Sequence, residues 1–285
     1  MRFRPWLLSA SWLAGVSGRA PGKRCWRDTA CHGPDETAFP GEWESNIFAP
    51  ESRDVVPAAV FDLATREKLA SWPEAVSLRS TQEGTYFDFG LEVGGVVTVE
   101  YEVLSVTVNG SVALAFTEGA EWIGRISDAS SGNYHKGDGA LSHTFFVPGN
   151  HTYTIPDEKL RGGFRYMTLF VKGRGAAIKV TGVHLELSFQ PTWSNLRAYG
   201  GYFHSSDDLL NRIWYSCAYT LQTNAIHPKT GRAWPSPKKG GWFNDGQLGH
   251  GETINTDGAK RDRTVWPGDM GVAIPSSAYS TGDLE

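Results

Sequence analysis

The chain has little net charge, few cysteines and only one apolar run of any length. With 27 Lys and Arg against 31 Asp and Glu, its net charge of −4 gives no basic field that would attract nucleic acid or an anionic membrane. The apolar run, residues 5–16, is too short to span a bilayer. Neither the 3 cysteines nor the 8 histidines have the spacing of a metal site, so we assign no metal and no cofactor. These absences argue against nucleic-acid and membrane partners.

Apolar and aromatic residues are plentiful. Hydrophobic residues make up 40% of the chain and charged residues 20%, which indicates ordered globular structure because disorder needs low apolar content. A length of 285 residues is enough for about two domains. The 33 glycines and 35 aromatic residues (11 Trp, 10 Tyr, 14 Phe) indicate β-rich structure with many tight turns, and flat apolar faces that could stack on sugars.

The first 18 residues have the organisation of a secretory signal peptide. Arg2 and Arg4 precede the apolar run, and the small residues Ser17 and Gly18 follow it. The alternative is a frayed amphipathic N-terminus. A signal peptide predicts a secreted, extracellular protein.

Two further features agree with secretion. The acceptor pattern for N-linked glycans occurs at Asn109 and at Asn150, both in turn-like sequence. Cys25 and Cys31 are expected to close a short disulfide loop in an oxidising compartment. Cys217 belongs to an apolar helical pattern, and we expect it to be a buried thiol.

Between residues 85 and 189 the hydrophobic pattern has a period of two. At residues 97–103 apolar side chains alternate with polar ones, as in a half-buried strand. Asn109 and Gly110 predict a hairpin with a type I′ turn between flanking apolar segments. Residues 148–150, Pro-Gly-Asn, predict a second turn.

Two longer segments add further strands. Residues 164–172 and 178–189 both have strand character, the second with its apolar side chains on one face. Several strands at short spacing without helices between them predict a mainly β fold, an antiparallel β-sandwich over residues 61–198. Residues 19–60 are then an N-terminal extension.

Near residue 199 the pattern changes to that of a helix. Residues 205–208, Ser-Ser-Asp-Asp, supply a hydroxyl cap and first-turn carboxylates, and apolar residues at helical spacing follow them. This pattern predicts a helix over residues 207–224. A weaker second helix is expected from near Asp269 to Ala278. The segment between them has little periodicity, and irregular segments of that length are usually functional or disordered.

Three carboxylates and a tryptophan are concentrated in the segment 257–269. Asp257, Asp262 and Asp269 lie on a Gly- and Pro-punctuated loop, with Trp266 between the last two. This set suits sugar chemistry because a carboxylic acid can protonate a glycosidic oxygen, carboxylates accept hydrogen bonds from hydroxyls, and an indole covers an apolar sugar face. The alternative is an exposed charged loop.

The two arginines beside Asp262 bear on this chemistry. An acid at this position has to keep its proton, which burial and the negative charges of Asp257 and Asp269 would favour. Arg261 and Arg263 oppose this if both lie close to the carboxyl group. We therefore expect at least one of them to point away, in a structural ion pair.

The segment 257–269 closely resembles the catalytic-loop motif of the α-L-rhamnosidases of glycoside hydrolase family 78, particularly the fungal type. Other segments resemble landmarks of that family in the same order, over nearly the whole chain after the signal peptide. They are Cys25-Trp-Arg-Asp-Thr-Ala-Cys31, Phe39-Pro-Gly, Ser45-Asn-Ile-Phe-Ala-Pro50, Phe87-Asp-Phe-Gly90, Gly163-Phe-Arg-Tyr166 and Phe203-His-Ser-Ser-Asp-Asp-Leu-Leu-Asn-Arg212.

The resemblance implies an inverting hydrolase that removes terminal α-L-rhamnose from glycosides or polysaccharides. Its active site would belong to an (α/α)6 barrel that begins in residues 199–285 and follows the β-sandwich. Asp262 would be the general acid, where many relatives carry Glu, and Asp257 and Asp269 would bind rhamnose hydroxyls. Trp266 would line the sugar site, and Arg261 would orient the neighbouring carboxylates.

In the family the general base is a Glu far downstream, beyond residue 285. The resemblance therefore implies a chain that is a fragment, inactive or nearly so by itself. A second hypothesis of another class is a non-catalytic carbohydrate-binding module in which the β-sandwich alone is the working part, since a sandwich fold by itself does not decide function.

Overall fold

The computed structural model of the chain describes residues 25–27, 29–130, 136–235 and 241–283. The predicted signal peptide, residues 1–18, lies outside the described residues. Within those ranges no helix is both long enough and apolar enough to cross a membrane.

The chain is mainly β, with a large antiparallel sheet and two α-helices among the described residues. The strands are β1 (Asp54–Val55), β2 (Ala59–Asp62), β3 (Lys68–Ser71), β4 (Val76–Arg79), β5 (Thr85–Ser105), β6 (Gly110–Thr117), β7 (Leu141–Phe145), β8 (Gly149–Thr154), β9 (Arg161–Lys172), β10 (Ala177–Leu187), β11 (Ala225–Ile226) and β12 (Ile254–Asn255). The helices are α1 (Asp208–Asn224) and α2 (Pro267–Tyr279), and short 3-10 helices cover Glu42–Asn46, Ala120–Trp122, Asp157–Lys159 and Pro228–Thr230.

Strand β5 is 21 residues long and takes part in both layers of the sandwich. Its first residues, 85–88, pair with β2 and β9, whereas residues 98–103 pair with β8 and β10. The register with β9 shifts twice between Asp88 and Gly95, and such bulges bend a strand. One layer is therefore β3-β2-β5-β9-β6-β7, and the other consists of β8, β5 and β10 with β1 and β4 along the outer edge of β10.

The alternating pattern at residues 97–103 is confirmed. The apolar residues predicted to face inward on β5 and along the 178–189 segment are all at most 1% exposed: Val97, Val99, Tyr101, Val103, Val183, Leu185, Leu187 and Phe189. Each fully buried side chain of this size contributes about 1.5–3 kcal/mol of hydrophobic stabilisation. The core between the layers thus follows directly from the period of two.

The predicted hairpin at Asn109 and Gly110 is wrong. Strand β6 begins at Gly110, and its partners among the described strands are β7 and β9, not β5. Both sides of the last part of β5 are already occupied by β8 and β10. A type I′ turn needs positive φ at both central residues, and neither residue is among those with positive φ. The connection instead carries the chain from one layer to the other.

The second predicted turn also joins the two layers. Gly149 has a φ of 119°, in agreement with a turn at Pro-Gly-Asn. Strand β7 before it pairs with β6, and strand β8 after it pairs with β5. Turn residues therefore marked the connection correctly but could not indicate which strands pair.

Part of the predicted N-terminal extension, residues 19–60, forms strands of the sandwich. Strand β1 and the start of β2 lie within residues 19–60 and pair with β10 and β5. The Arg197 guanidinium donates hydrogen bonds to the carbonyls of Ile47 at 2.6 Å and Ala49 at 2.8 Å. These contacts fix the N-terminal segment against the sheet and the start of the helical region.

Helix α1 has the position that the sequence predicts. The Asp207 carboxylate accepts hydrogen bonds from the backbone N–H groups of Leu209 at 2.8 Å and Leu210 at 3.3 Å, and therefore caps the helix. The cap is thus an aspartate and not a serine hydroxyl. Asp208 adds a negative charge in the first turn, which the helix dipole favours.

The face of α1 that contacts the sandwich is not its most apolar face. Tyr215 and Tyr219 are buried, and the Tyr219 hydroxyl donates to the carbonyl of Glu92 at 2.7 Å. Ile213 is 50% exposed, and Cys217 is exposed, so the expectation of a buried thiol is wrong. Helical spacing identified an apolar stripe correctly, but the tyrosine face makes hydrogen bonds to the sandwich that an aliphatic face cannot make.

Helix α2 begins at Pro267, two residues before the predicted start. Proline suits the first helical position because the backbone N–H at that position, which proline lacks, has no partner within the helix. Pro275 lies inside the helix, as the sequence predicts. The helix packs beside α1 and leaves Val272, 71% exposed, on its outer side.

Candidate functional site

Two hydrogen bonds close the loop that carries the predicted site residues. The Asp257 N–H donates to the Thr264 carbonyl, and the Thr264 N–H donates to the Asp257 carboxylate, both at 2.9 Å. The residues between these two points form a compact turn that presents Asp262. We call residues 257–264 the acid loop.

Asp262 and Arg263 both have a left-handed backbone, with φ values of 36° and 52°. For residues other than glycine this conformation costs about 1–3 kcal/mol each, and it persists only where surrounding contacts hold it. Arg263 is fully buried and donates to the carbonyls of Thr230 and Ala259, both at 2.7 Å. Its guanidinium therefore anchors the strained part of the acid loop.

The two arginines of the loop lie in different surroundings. As expected, one of them is directed away from the carboxylates, but Arg263 binds carbonyl and hydroxyl oxygens, so the predicted ion pair is wrong. Burial, and then the charge of Arg232, lowers the pKa of Arg263 to about 9. Arg261 lies 3.7 Å from the Asp262 carboxylate, and the two side chains are 53% and 38% exposed.

Trp266 and Asp269 lie at the N-terminus of α2. The Trp266 carbonyl accepts a hydrogen bond from the Asp269 N–H at 3.1 Å, so the two residues lie one turn apart. Trp266 is 61% exposed, and Asp269 is exposed as well. The indole and the carboxylate are both accessible to a ligand from solvent.

The charges of Asp262 and Asp269 both act on the Asp257 carboxyl group. Burial raises the pKa of Asp257, and the negative charges of Asp262 and Asp269 raise it further, against the opposing hydrogen bond from the Thr264 N–H. A carboxyl with a raised pKa beside two others is a common feature of sites that transfer protons or bind sugars. Of the residues that the sequence singles out, Asp257 is thus influenced by the charges of Asp262 and Asp269.

Behind the acid loop, Lys260 connects it to the sandwich. The Lys260 ammonium lies 2.7 Å from the Glu118 carboxylate and 2.9 Å from that of Asp128. Asp128 also pairs with the buried Arg161, which donates in addition to Asp138 at 2.8 Å. The sequence could not indicate these residues, because they are distant in the chain and carry no motif.

A pair of glycines lets the acid loop approach strand β9. A Cβ atom at Gly162 would lie 1.9 Å from the Ala259 carbonyl oxygen, and one at Gly163 would lie 2.5 Å from the Glu92 carboxylate. Any side chain at these positions would push the loop away. The consecutive glycines are the sequence signal that could have indicated this contact.

Other predicted residues have clear positions. Cys25 and Cys31 are joined by a disulfide, and Asn109 and Asn150 are exposed. Arg165 makes a structural ion pair, with its guanidinium 2.8 Å from the Asp88 carboxylate. Among the described residues no cluster of three or more His, Cys, Asp or Glu side chains could hold a metal ion.

The fold of the chain is similar to that of a solved rhamnosidase structure. The chain superposes on a rhamnosidase from Klebsiella oxytoca solved with rhamnose bound, with a TM-score of 0.51 over 84% of this chain and 43% of that one. The two share a fold. The sequences are 16% identical, and the chain spans less than half the length of that rhamnosidase.

A second solved structure has a weaker likeness. The rhamnosidase of glycoside hydrolase family 78 from Bacillus sp. GL1 is 19% identical, with a TM-score of 0.48 over 86% of this chain and 19% of that one. No family model and no curated protein matches the sequence. The likeness to the Klebsiella oxytoca rhamnosidase therefore establishes the fold, and the function has to be argued from the site.

Proposed function

We propose that this chain carries the sugar-binding and acid-bearing part of an α-L-rhamnosidase of glycoside hydrolase family 78, of the fungal type. One observation supports the proposal above all others: three carboxylates and an exposed indole lie within residues 257–269, and the charges of Asp262 and Asp269 raise the pKa of Asp257. The shared fold with a rhamnosidase agrees with it. The fungal type rests on the sequence motifs alone.

The roles are those that the resemblance implies, and the chemistry of each side chain suits them. Asp262 protonates the glycosidic oxygen as the bond to the leaving group breaks, and Arg261 orients its carboxyl group. Asp257 and Asp269 accept hydrogen bonds from rhamnose hydroxyls. Trp266 packs against the sugar face and its methyl group, which is apolar surface that a 6-deoxy sugar has in place of a hydroxymethyl group.

Inversion at the anomeric carbon needs a second carboxylate on the opposite face of the sugar. In inverting enzymes the two carboxyl groups are about 6.5–9.5 Å apart, which leaves room for the attacking water. The proposal assigns no such base among the described residues. The proposal is therefore tested on this chain by its binding of rhamnose.

The test is a titration of the purified chain with L-rhamnose by isothermal calorimetry. We expect saturable binding, and about a tenfold rise of Kd for Trp266→Ala, because the indole supplies most of the apolar contact. Asp262→Asn should leave Kd within about threefold, since an amide retains the shape but supplies no proton. Trp234→Ala is the matched control, because Trp234 is also exposed, at 59%, but lies outside residues 257–269, which carry the proposed site.

Two results would contradict the proposal. One is the absence of rhamnose binding at millimolar concentration. The other is a Kd that Trp266→Ala and Trp234→Ala change equally. Unchanged rhamnose binding in Trp266→Ala would instead favour a binding module that works through the sandwich alone.

A further inference from the structure

A cavity of about 760 Å³ is lined by residues that follow strand β6 and by Lys260 of the acid loop. Its lining includes Glu118, Trp122, Arg125, Asp128 and Lys260, and we call it the sandwich cavity. Sites for small molecules in proteins typically have volumes of about 300–1,000 Å³. The sandwich cavity is therefore large enough for a sugar unit.

An exposed tryptophan marks one wall of the sandwich cavity. Trp122 ends the 3-10 helix Ala120–Trp122 and is 69% exposed, and Ile126 nearby is 57% exposed. The core of the sandwich makes little use of this indole. A large aromatic face left in contact with water beside polar groups suits stacking on the apolar face of a sugar ring.

Acidic and basic side chains are equal in number in the lining of the sandwich cavity, which has Glu118, Glu121 and Asp128 against Arg125, Lys136 and Lys260. Glu118 and Asp128 share the Lys260 ammonium, and the Arg125 guanidinium lies 4.3 Å from the centre of the Phe170 ring. The Glu118 side chain is 39% exposed and so remains accessible to a hydroxyl group. Such a lining favours an uncharged, polyhydroxylated ligand over an anion or a cation, because neither sign of charge is in clear excess.

The sandwich cavity and the acid loop share one residue, Lys260. Lys260 lines the cavity and precedes Asp262 by two residues in the acid loop. We propose that the sandwich cavity is a second sugar subsite, which binds the unit to which the terminal rhamnose is attached. The inference rests on the proposed function, since it names the part of the substrate beyond the rhamnose.

The experiment compares L-rhamnose with a rhamnosyl-glucose disaccharide by calorimetric titration of the full chain. We expect the disaccharide to bind more tightly than rhamnose in the parent protein. Trp122→Ala should raise the Kd of the disaccharide about fivefold or more and leave that of rhamnose unchanged, while Trp122→Phe restores part of the loss. Because Trp122 is mostly exposed, its removal should not affect folding.

The outcomes separate this inference from the proposed function. A disaccharide that binds no more tightly than rhamnose, or a Kd that Trp122→Ala does not change, overturns the subsite. If rhamnose does not bind at all, cellobiose serves as a rhamnose-free probe. Cellobiose binding that Trp122→Ala weakens and Trp234→Ala does not would then support a sugar site in the sandwich cavity without a rhamnosidase, and no cellobiose binding would contradict both.

Discussion

At the scale of single residues, Arg263 determines where the proposed acid lies. Its backbone and that of Asp262 are left-handed, and its buried guanidinium makes the hydrogen bonds that hold this conformation. Arg261, next but one in sequence, is mostly exposed and pairs with Asp262 at 3.7 Å. Two arginines in one motif thus have different tasks, one inside the protein and one at its surface.

Replacement of the two arginines tests this distinction. Arg263→Ala should lower the free energy of unfolding by about 2–4 kcal/mol, because it leaves buried carbonyl acceptors without a donor. Arg261→Ala should change it by less than about 1 kcal/mol, as exposed ion pairs contribute little. Urea unfolding followed by circular dichroism measures both. Equal losses for the two variants would show that Arg263 does not anchor the loop.

At the scale of secondary structure, α1 shows that the most apolar face of a helix need not be the buried one. Tyr215 is 1% exposed and stacks on Tyr199, whereas Ile213 is 50% exposed. The buried face combines aromatic area with hydroxyl and amide groups that bond to the sandwich and the segment before the helix. An apolar stripe identifies a helix more reliably than it identifies the side that packs.

Paired truncations on α1 distinguish the two faces. Tyr215→Ala should cost about 3–5 kcal/mol of unfolding free energy, as expected for the loss of a large buried aromatic side chain. Ile213→Ala should change that free energy by less than about 0.5 kcal/mol. Thermal and urea unfolding of both variants give the comparison. A larger loss for Ile213→Ala than for Tyr215→Ala would contradict the observed orientation of the helix.

At the scale of the whole molecule, charged residues join the sandwich to the acid loop. Lys260 pairs with Glu118 and Asp128, and Glu92 lies in the same region beside Gly163. Burial raises the pKa of Glu92 from its ordinary value of 4.5 to about 7, and the charges of Glu118 and Asp128 add to this against Lys260. The two parts of the protein therefore share one set of coupled charges.

Stability should depend on pH through Glu92. A carboxyl with a higher pKa in the folded chain takes up protons on folding, so its contribution to stability is complete below about pH 4.5 and is lost as the pH rises through about 7. That loss amounts to at most about 3 kcal/mol. Glu92→Gln removes the titrating group and should make the unfolding free energy fall less between pH 4.5 and 8 than it does in the parent protein. Parallel pH profiles of the two proteins would contradict this.

Local patterns were sufficient for several predictions. The period of two located the strands of the core, the residue types at 205–208 located the start of α1, and the motif at 257–269 identified Asp257, on which the charges of Asp262 and Asp269 act. These features depend on residues close together in the chain. Their physical basis is the alternation of side chains along a strand and the unpaired N–H groups of a helix start, which nearby residues satisfy.

Strand pairing and long-range charge contacts were decided only by the tertiary structure. The sequence by itself determined the type of the main elements from residue 85 onward and the place of the acid loop in the chain. The folded chain decided that β6 pairs with β9, that Cys217 faces outward and that Lys260 meets Glu118. Such contacts join residues far apart in sequence, and they depend on which surfaces other strands already occupy.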